Sequence, residues 1–247
     1  MMRAMVLCLC LCLLGTAVLA QPAQDQAAAN ALAQAMDGAS HNEGFRLRAQ
    51  ITPEGGDESW RVVIAGEKDA LRLRLLLRVQ APEPLRGQAL VLHAQPDLPV
   101  QALRFGVSDG PARVVDATEP FLGTGIVPWD FTGAWWRWPR QTWLREEACL
   151  SQRCQVLESS GRLQGRVARV RSWYAPQLQL TLRLEFLSAD GKRLRELRVD
   201  RFVQRPDGSG AARTLTLTDA GGVVRRLDIY NGEEGVALGP DTFRTPQ

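Results

Sequence analysis

The chain of 247 residues holds two His and five Cys, and it carries no Gly-x-Ser-x-Gly, no His-Glu-x-x-His and no phosphate-cradling glycine loop. Those patterns place a nucleophile, a zinc site or a nucleotide site, so their absence removes the commonest enzyme readings. His93 falls in the strand-like run Leu90-Val91-Leu92-His93, where a structural histidine is the ordinary outcome, and His41 lies in a polar connection. Glu146-Glu147 and Glu233-Glu234 are adjacent pairs in loop-like stretches. Paired carboxylates for acid–base work must instead be set apart in space. The expectation is a protein without catalytic residues, cofactor or metal. Charge of one sign is missing too. A formal net charge of +3 announces neither a nucleic-acid nor a membrane-surface partner.

Beyond the first twenty residues no apolar run approaches the roughly 20 residues that span a bilayer. The N-terminus has its own order. Arg3 is the only charge before Asp25, Met5 to Leu14 is apolar throughout, and Gly15 to Ala20 ends in small residues. Residues 1–20 therefore read as a secretory signal peptide cleaved after Ala20. A membrane anchor would need a longer run. A lipoprotein signal would need a small residue before its Cys, whereas Leu7, Leu9 and Leu11 precede Cys8, Cys10 and Cys12. Residues 21–247 are then one exported domain, since all-β domains often run to about 200–250 residues. Export leaves only Cys149 and Cys154, a pair that suits a disulfide in an oxidising compartment. The rival reading is a metal site, which would need two further ligands that the distant His41 and His93 are badly placed to supply.

What is present is alternation. Gln24 to Asp37 predicts a helix with Ala28, Ala31, Leu32, Ala35 and Met36 on one face, capped at Gly38. After His41 the period becomes two. Phe45, Leu47, Ala49 and Ile51 form one strand, then Trp60, Val62 and Ile64, then Leu71, Leu73, Leu75, Leu77 and Val79 set against Arg72, Arg74 and Arg78. Further strands are expected at Ala89–His93, Ala102–Val107 and Ala112–Asp116. Near the C-terminus Leu178, Leu180, Leu182, Leu184 and Phe186 run to a turn at Asp190-Gly191-Lys192. Leu194 to Val203 returns, and a last hairpin turns at Asp219 to Gly222. One face is apolar and the other rich in Arg, as in an antiparallel sheet with one wet side.

Pro120 to Glu147 differs. It contains Trp129, Phe131, Trp135, Trp136, Trp138 and Trp143, five of the chain's seven Trp, and shows no strand alternation. Trp129-Asp130-Phe131 after Pro128 predicts a short helix. Trp suits places with one apolar and one wet side. The segment is read either as a plug completing the core or as the lid or rim of an apolar cavity, with Phe121, Trp129, Phe131, Trp135, Trp136, Trp138 and Trp143 as the candidate lipid-binding residues. The sheet's apolar face must be covered by something, and one Ala-rich helix is too little for it.

Several short motifs occur in a telling order. Phe121-Leu122-Gly123 is followed by Asp130-Phe131; then come Arg153 to Glu158 around Cys154, Val170 to Tyr174, and Leu180 to Leu194 around Asp190-Gly191-Lys192. In this the chain resembles the outer membrane lipoprotein-sorting proteins, similar to the periplasmic lipoprotein carrier and receptor. The resemblance covers about residues 40–245 and departs from the pattern in its Trp135-Trp136-Arg137-Trp138 cluster and its greater length. It implies a mainly β fold, a curved, incompletely closed antiparallel barrel with helices across its opening. It also implies a periplasmic monomer holding lipid or lipoprotein acyl chains, loaded by an inner-membrane exporter and relieved by an outer-membrane acceptor. The competing expectation is a periplasmic interaction or sensor module with no lipid cargo. A hydrolase site assembled from distant residues is the least supported.

Overall fold

In the computed structural model the structure describes residues 21–96, 98–106 and 111–243. The expected signal peptide at 1–20 lies outside them. A helix, α1 (Gln21–Ala39), is followed by β1 (Asn42–Pro53), β2 (Trp60–Lys68), β3 (Leu73–Ala81), β4 (Ala89–Ala94), β5 (Gln101–Phe105) and β6 (Arg113–Val115). After a long connection come β7 (Arg140–Cys149), β8 (Gln152–Gln164), β9 (Val167–Ala175), β10 (Leu180–Leu187), β11 (Arg193–Gln204), β12 (Gly210–Asp219) and β13 (Val224–Glu234). All thirteen belong to one sheet in the order β6-β5-β4-β3-β2-β1-β13-β12-β11-β10-β9-β8-β7. Every pair is antiparallel, and β1 meets β13 in the middle.

This order makes the two sheet edges, β6 and β7, neighbours in sequence. Bulges at Arg48/Ala49, Trp143/Arg145, Thr181/Arg183 and Val199/Arg201 bend the strands, because an unpaired extra residue sharpens local twist. The antiparallel sheet is the one expected from the alternation, and its curved, unclosed form is the half-barrel that the resemblance implies. Its concave face is the core: Ile51, Val62, Ile64, Leu75, Leu77, Leu92, Val170 and Phe186 pack in one cluster with α1 and the Trp-rich connection.

Several local readings change. The buried stripe of α1 is Ala29, Leu32, Ala33 and Met36, whereas Ala28, Ala31 and Ala35 face out. In an Ala-rich helix several stripes satisfy the i, i+3, i+4, i+7 spacing, and the sheet selects one. Leu71 is 75% exposed in a turn where the Asp69 carboxylate accepts its amide N–H, so β3 starts at Leu73. Leu178 lies in a turn before β10. Arg140 to Cys149 is a strand although no alternation shows there, because its inward position is taken by the polar Gln141. Helices in the plural are not found across the opening. Among the described residues α1 is the single α-helix, and the remaining cover is made of short 3-10 turns. Leu76 and Val91 interrupt the wet side of β3 and β4 because Phe243, after the last strand, folds onto that outer face.

One ion cluster locks helix, sheet and connection together. Asp37 at the end of α1 meets Lys68 of β2 at 3.0 Å and Arg137 of the connection at 2.8 Å. Lys68 also stands over the Trp136 ring, 5.4 Å from its centre. Burial alone would raise the Asp37 carboxyl, but Lys68 and Arg137 outweigh it and hold its pKa below the ordinary 3.8. Burial lowers Lys68 in spite of Asp37. A depressed carboxyl contributes stability that is present above its unfolded pKa and lost as pH falls through the folded one. The wild-type advantage over Asp37→Asn is therefore expected to shrink between about pH 5 and pH 2, measured by denaturant melts across that range. Trp135 is fully buried, and Trp135→Ala is expected to cost about 3–5 kcal/mol in the same melts.

Candidate functional site

The connection between β6 and β7 crosses from one open edge of the sheet to the other. It is built of three short turns, Phe121–Gly123, Pro128–Phe131 and Ala134–Arg137. Pro128 opens the second because a first helical position needs no N–H there. Gly133, at φ +65°, lets the third begin, and a side chain there would collide with the Trp136 ring. Trp129, Trp135 and Phe186 form a three-ring nest with centre separations of 5.2, 5.4 and 6.1 Å, and Trp138 stacks on Trp129 at 6.1 Å.

Polar groups fix this nest. The indole N–H groups of Trp135 and Trp136 both donate to the Ser172 hydroxyl, at 3.3 and 3.2 Å. Gln141 donates its amide N–H to the carbonyls of Trp135, Trp136 and Trp138, while Ser159 donates to its oxygen at 2.7 Å. A buried amide thus satisfies the carbonyls that the short turn leaves open. Phe121, Trp129, Trp135, Trp136 and Trp138 are buried together and Phe131 packs against them. Trp143 stands apart on β7, 45% exposed. Cys149 and Cys154 are disulfide-bonded across the β7–β8 hairpin, Cα to Cα 6.2 Å.

Beside the connection a cleft of about 770 Å³ opens between residues 116–130, the β8–β9 turn, the start of β11 and the β12–β13 hairpin end. Val127, Val167, Leu194, Leu197 and Leu217 form its apolar wall. None of the seven aromatic candidates lines it; Trp129 and Trp138 instead line a smaller hollow of about 120 Å³ near Lys68 and Leu98. Sequence reasoning missed two arginines of the large cleft. Arg225 is in phase with the buried Leu227, and Arg195 lies opposite the core residue Phe186. A charged residue on the apolar phase of a strand was the available signal. Arg195 covers the Phe186 ring, 4.3 Å from its centre, and grips Asp130 with two hydrogen bonds, one of 2.7 Å. Burial raises the Asp130 carboxyl, against the pull of Arg195.

No family model matches the chain, and no curated protein matches it in sequence. Solved structures do. A DUF1329 family protein from Desulfovibrio piger superposes with a TM-score of 0.77 at 15% identity, over 89% of this chain and 97% of that one. A proposed outer membrane lipoprotein-sorting protein domain from Vibrio parahaemolyticus gives 0.76 at 16%, over 90% and 97%. A LolA superfamily protein from Nitrosomonas europaea gives 0.65 at 17%, over 88% and 97%. The chain shares the fold of these three structures. Within this LolA-like half-barrel, Asp130 of the Phe-Leu-Gly to Asp-Phe motif ties the connection to β11. Asp130→Ala is expected to cost about 3–5 kcal/mol by leaving Arg195 buried and alone, and Asp130→Leu with Arg195→Met much less. Chemical denaturation of both variants checks this.

Proposed function

We propose that the chain is a periplasmic carrier that holds the acyl chains of a lipoprotein or another lipid against the concave face of its sheet. The observation that carries this reading is the 770 Å³ cleft with its wall of Val127, Val167, Leu194, Leu197 and Leu217. Clefts of roughly 300–1,000 Å³ are the size class of small-molecule sites. Burying about ten methylenes there would contribute roughly 8 kcal/mol before ordering costs, the scale of micromolar binding. The LolA-like fold supports the same reading, and so does the N-terminal export pattern. Carrying needs no catalytic step. In this reading the Trp-rich connection is a rim that holds the cleft's shape: its rings fill the core beside the cleft, and its backbone forms one wall. An inner-membrane exporter and an outer-membrane acceptor are the partners such a carrier would meet.

Native mass spectrometry of the purified protein is expected to show bound amphiphile, and the delipidated protein should take up a fluorescent fatty acid. Leu217→Trp, which fills the cleft, should cut that uptake at least tenfold while the melting temperature stays near wild type. Absence of uptake by the folded wild-type protein overturns the proposal. A stoichiometric protein partner that survives delipidation would then favour an interaction module.

A further inference from the structure

The outer face of the sheet carries its arginines in two ways. On β9 to β13 Arg171 meets Glu158 at 2.7 Å, Arg183 meets Glu185 at 2.6 Å, Arg198 meets Asp200 at 2.8 Å and Arg226 meets Asp228 at 2.8 Å. On β1 to β3 the pattern stops. Arg46 and Arg48 alternate with the inward Leu47 and Ala49, Arg61 precedes the inward Val62, and Arg78 lies between the inward Leu77 and Val79. Successive strand residues point to opposite faces, so these four belong to the outer face. All four are exposed, and among the described residues none forms an ion pair or a side-chain hydrogen bond.

Register gathers them. Val63 pairs with Arg48 on one side and with Arg78 on the other, and Arg61 is the next residue of β2 on that face. Diagonal neighbours on a sheet lie about 7–8 Å apart, so Arg48, Arg61 and Arg78 surround the half-buried Val63, with Arg46 next along β1. Across β1, Arg48 pairs with Asn231, beside Tyr230, which the β13 bulge leaves unpaired and 54% exposed. The carboxylates around this cluster leave it uncompensated. Glu67 is taken by Arg72 and Arg74, and Asp228 by Arg226 and the Thr214 hydroxyl. Glu233 pairs in register with Arg46 without bridging to it. Glu54, Asp57 and Glu58 stand exposed in the β1–β2 turn beyond the strand ends, and Asp241 sits on the last turn, whose Phe243 covers Arg74. Like charges left side by side disfavour one another until an external anion arrives, and a guanidinium matches phosphate. None of the four lines the 770 Å³ cleft or the 120 Å³ hollow. A plane of phosphates needs no such pocket, whereas a protein partner anchors in one. Tyr is also a residue of the membrane–water interface.

We propose that the outer face of β1 to β3, with Arg46, Arg48, Arg61, Arg78 and Tyr230, docks the protein on an anionic phospholipid surface. The cleft lies on the opposite, concave side and stays open, so the docking does not depend on what the cleft holds. Vesicle co-sedimentation of the purified protein tests this, with phosphatidylcholine vesicles against vesicles that contain phosphatidylglycerol. Binding to the anionic vesicles should be at least tenfold tighter and should weaken as salt is raised. An arginine at such a surface contributes roughly fivefold. Arg48→Gln/Arg61→Gln/Arg78→Gln should therefore lose at least tenfold on anionic vesicles. Arg171→Gln/Arg198→Gln/Arg226→Gln removes the same charge from the ion-paired part of the face and should lose less than threefold. If the first triple variant does not fold, Arg48→Gln and Arg78→Gln singly take its place, each expected to lose roughly fivefold. Equal losses in the two sets overturn the proposal, because net charge alone would then explain the binding. Equal binding to both kinds of vesicle overturns it, as does release from the vesicles by inorganic phosphate at matched phosphate concentration. Retention on polyglutamate without vesicle binding overturns it in favour of an acidic protein partner.

Discussion

The packing of Trp129 and Trp135 against Phe186 is the contact on which the half-barrel depends. Because β1 pairs with β13 in the middle of the sheet, its two edges are consecutive in sequence and no hydrogen-bonded ladder joins them. Closure falls to the connection that runs from β6 to β7, and it closes by side chains instead of by strand pairing. Aromatic rings suit this task. Each buries a large area with few rotatable bonds, and tilted or edge-on contacts fix their mutual orientation.

Burying rings with polar edges imposes a second condition, since each indole N–H and each open turn carbonyl needs a partner. Ser172 and Gln141 meet most of that demand from inward positions on β9 and β7. The Asp37, Lys68 and Arg137 cluster and the Asp130–Arg195 pair then tie the connection to α1, β2 and β11. The connection is thus held by a few buried polar contacts whose loss leaves charges or donors stranded. The sheet supplies the curvature and the connection supplies the wall. The cleft lies between them, at the side where the rings stop and β11 to β13 continue.

Much of the strand pattern was legible because a half-buried antiparallel sheet writes itself as a period of two. The turns at Asp190-Gly191 and Asp219 to Gly222 were legible for the same local reason. What misled was degeneracy or context. The Ala-rich helix offered several equivalent stripes. Arg140 to Cys149 hid its strand character behind Gln141, and Leu76 and Val91 are apolar because of Phe243, more than 150 residues away.

The amino-acid sequence by itself determined a mainly β chain with an apolar and a wet sheet face, a Cys149 and Cys154 spacing that suits a disulfide, and a Trp-rich segment between two sets of strands. Each of these is written in local periodicity or composition. Only the tertiary structure decided that this segment bridges the sheet's two edges, that its Trp rings fill the core beside the cleft, and that Arg195 and Arg225 face inward. Those facts depend on strand order and on bulges that change which side chains share a surface. Spacing along a chain does not carry them, because a one-residue shift in pairing moves a side chain to the opposite face.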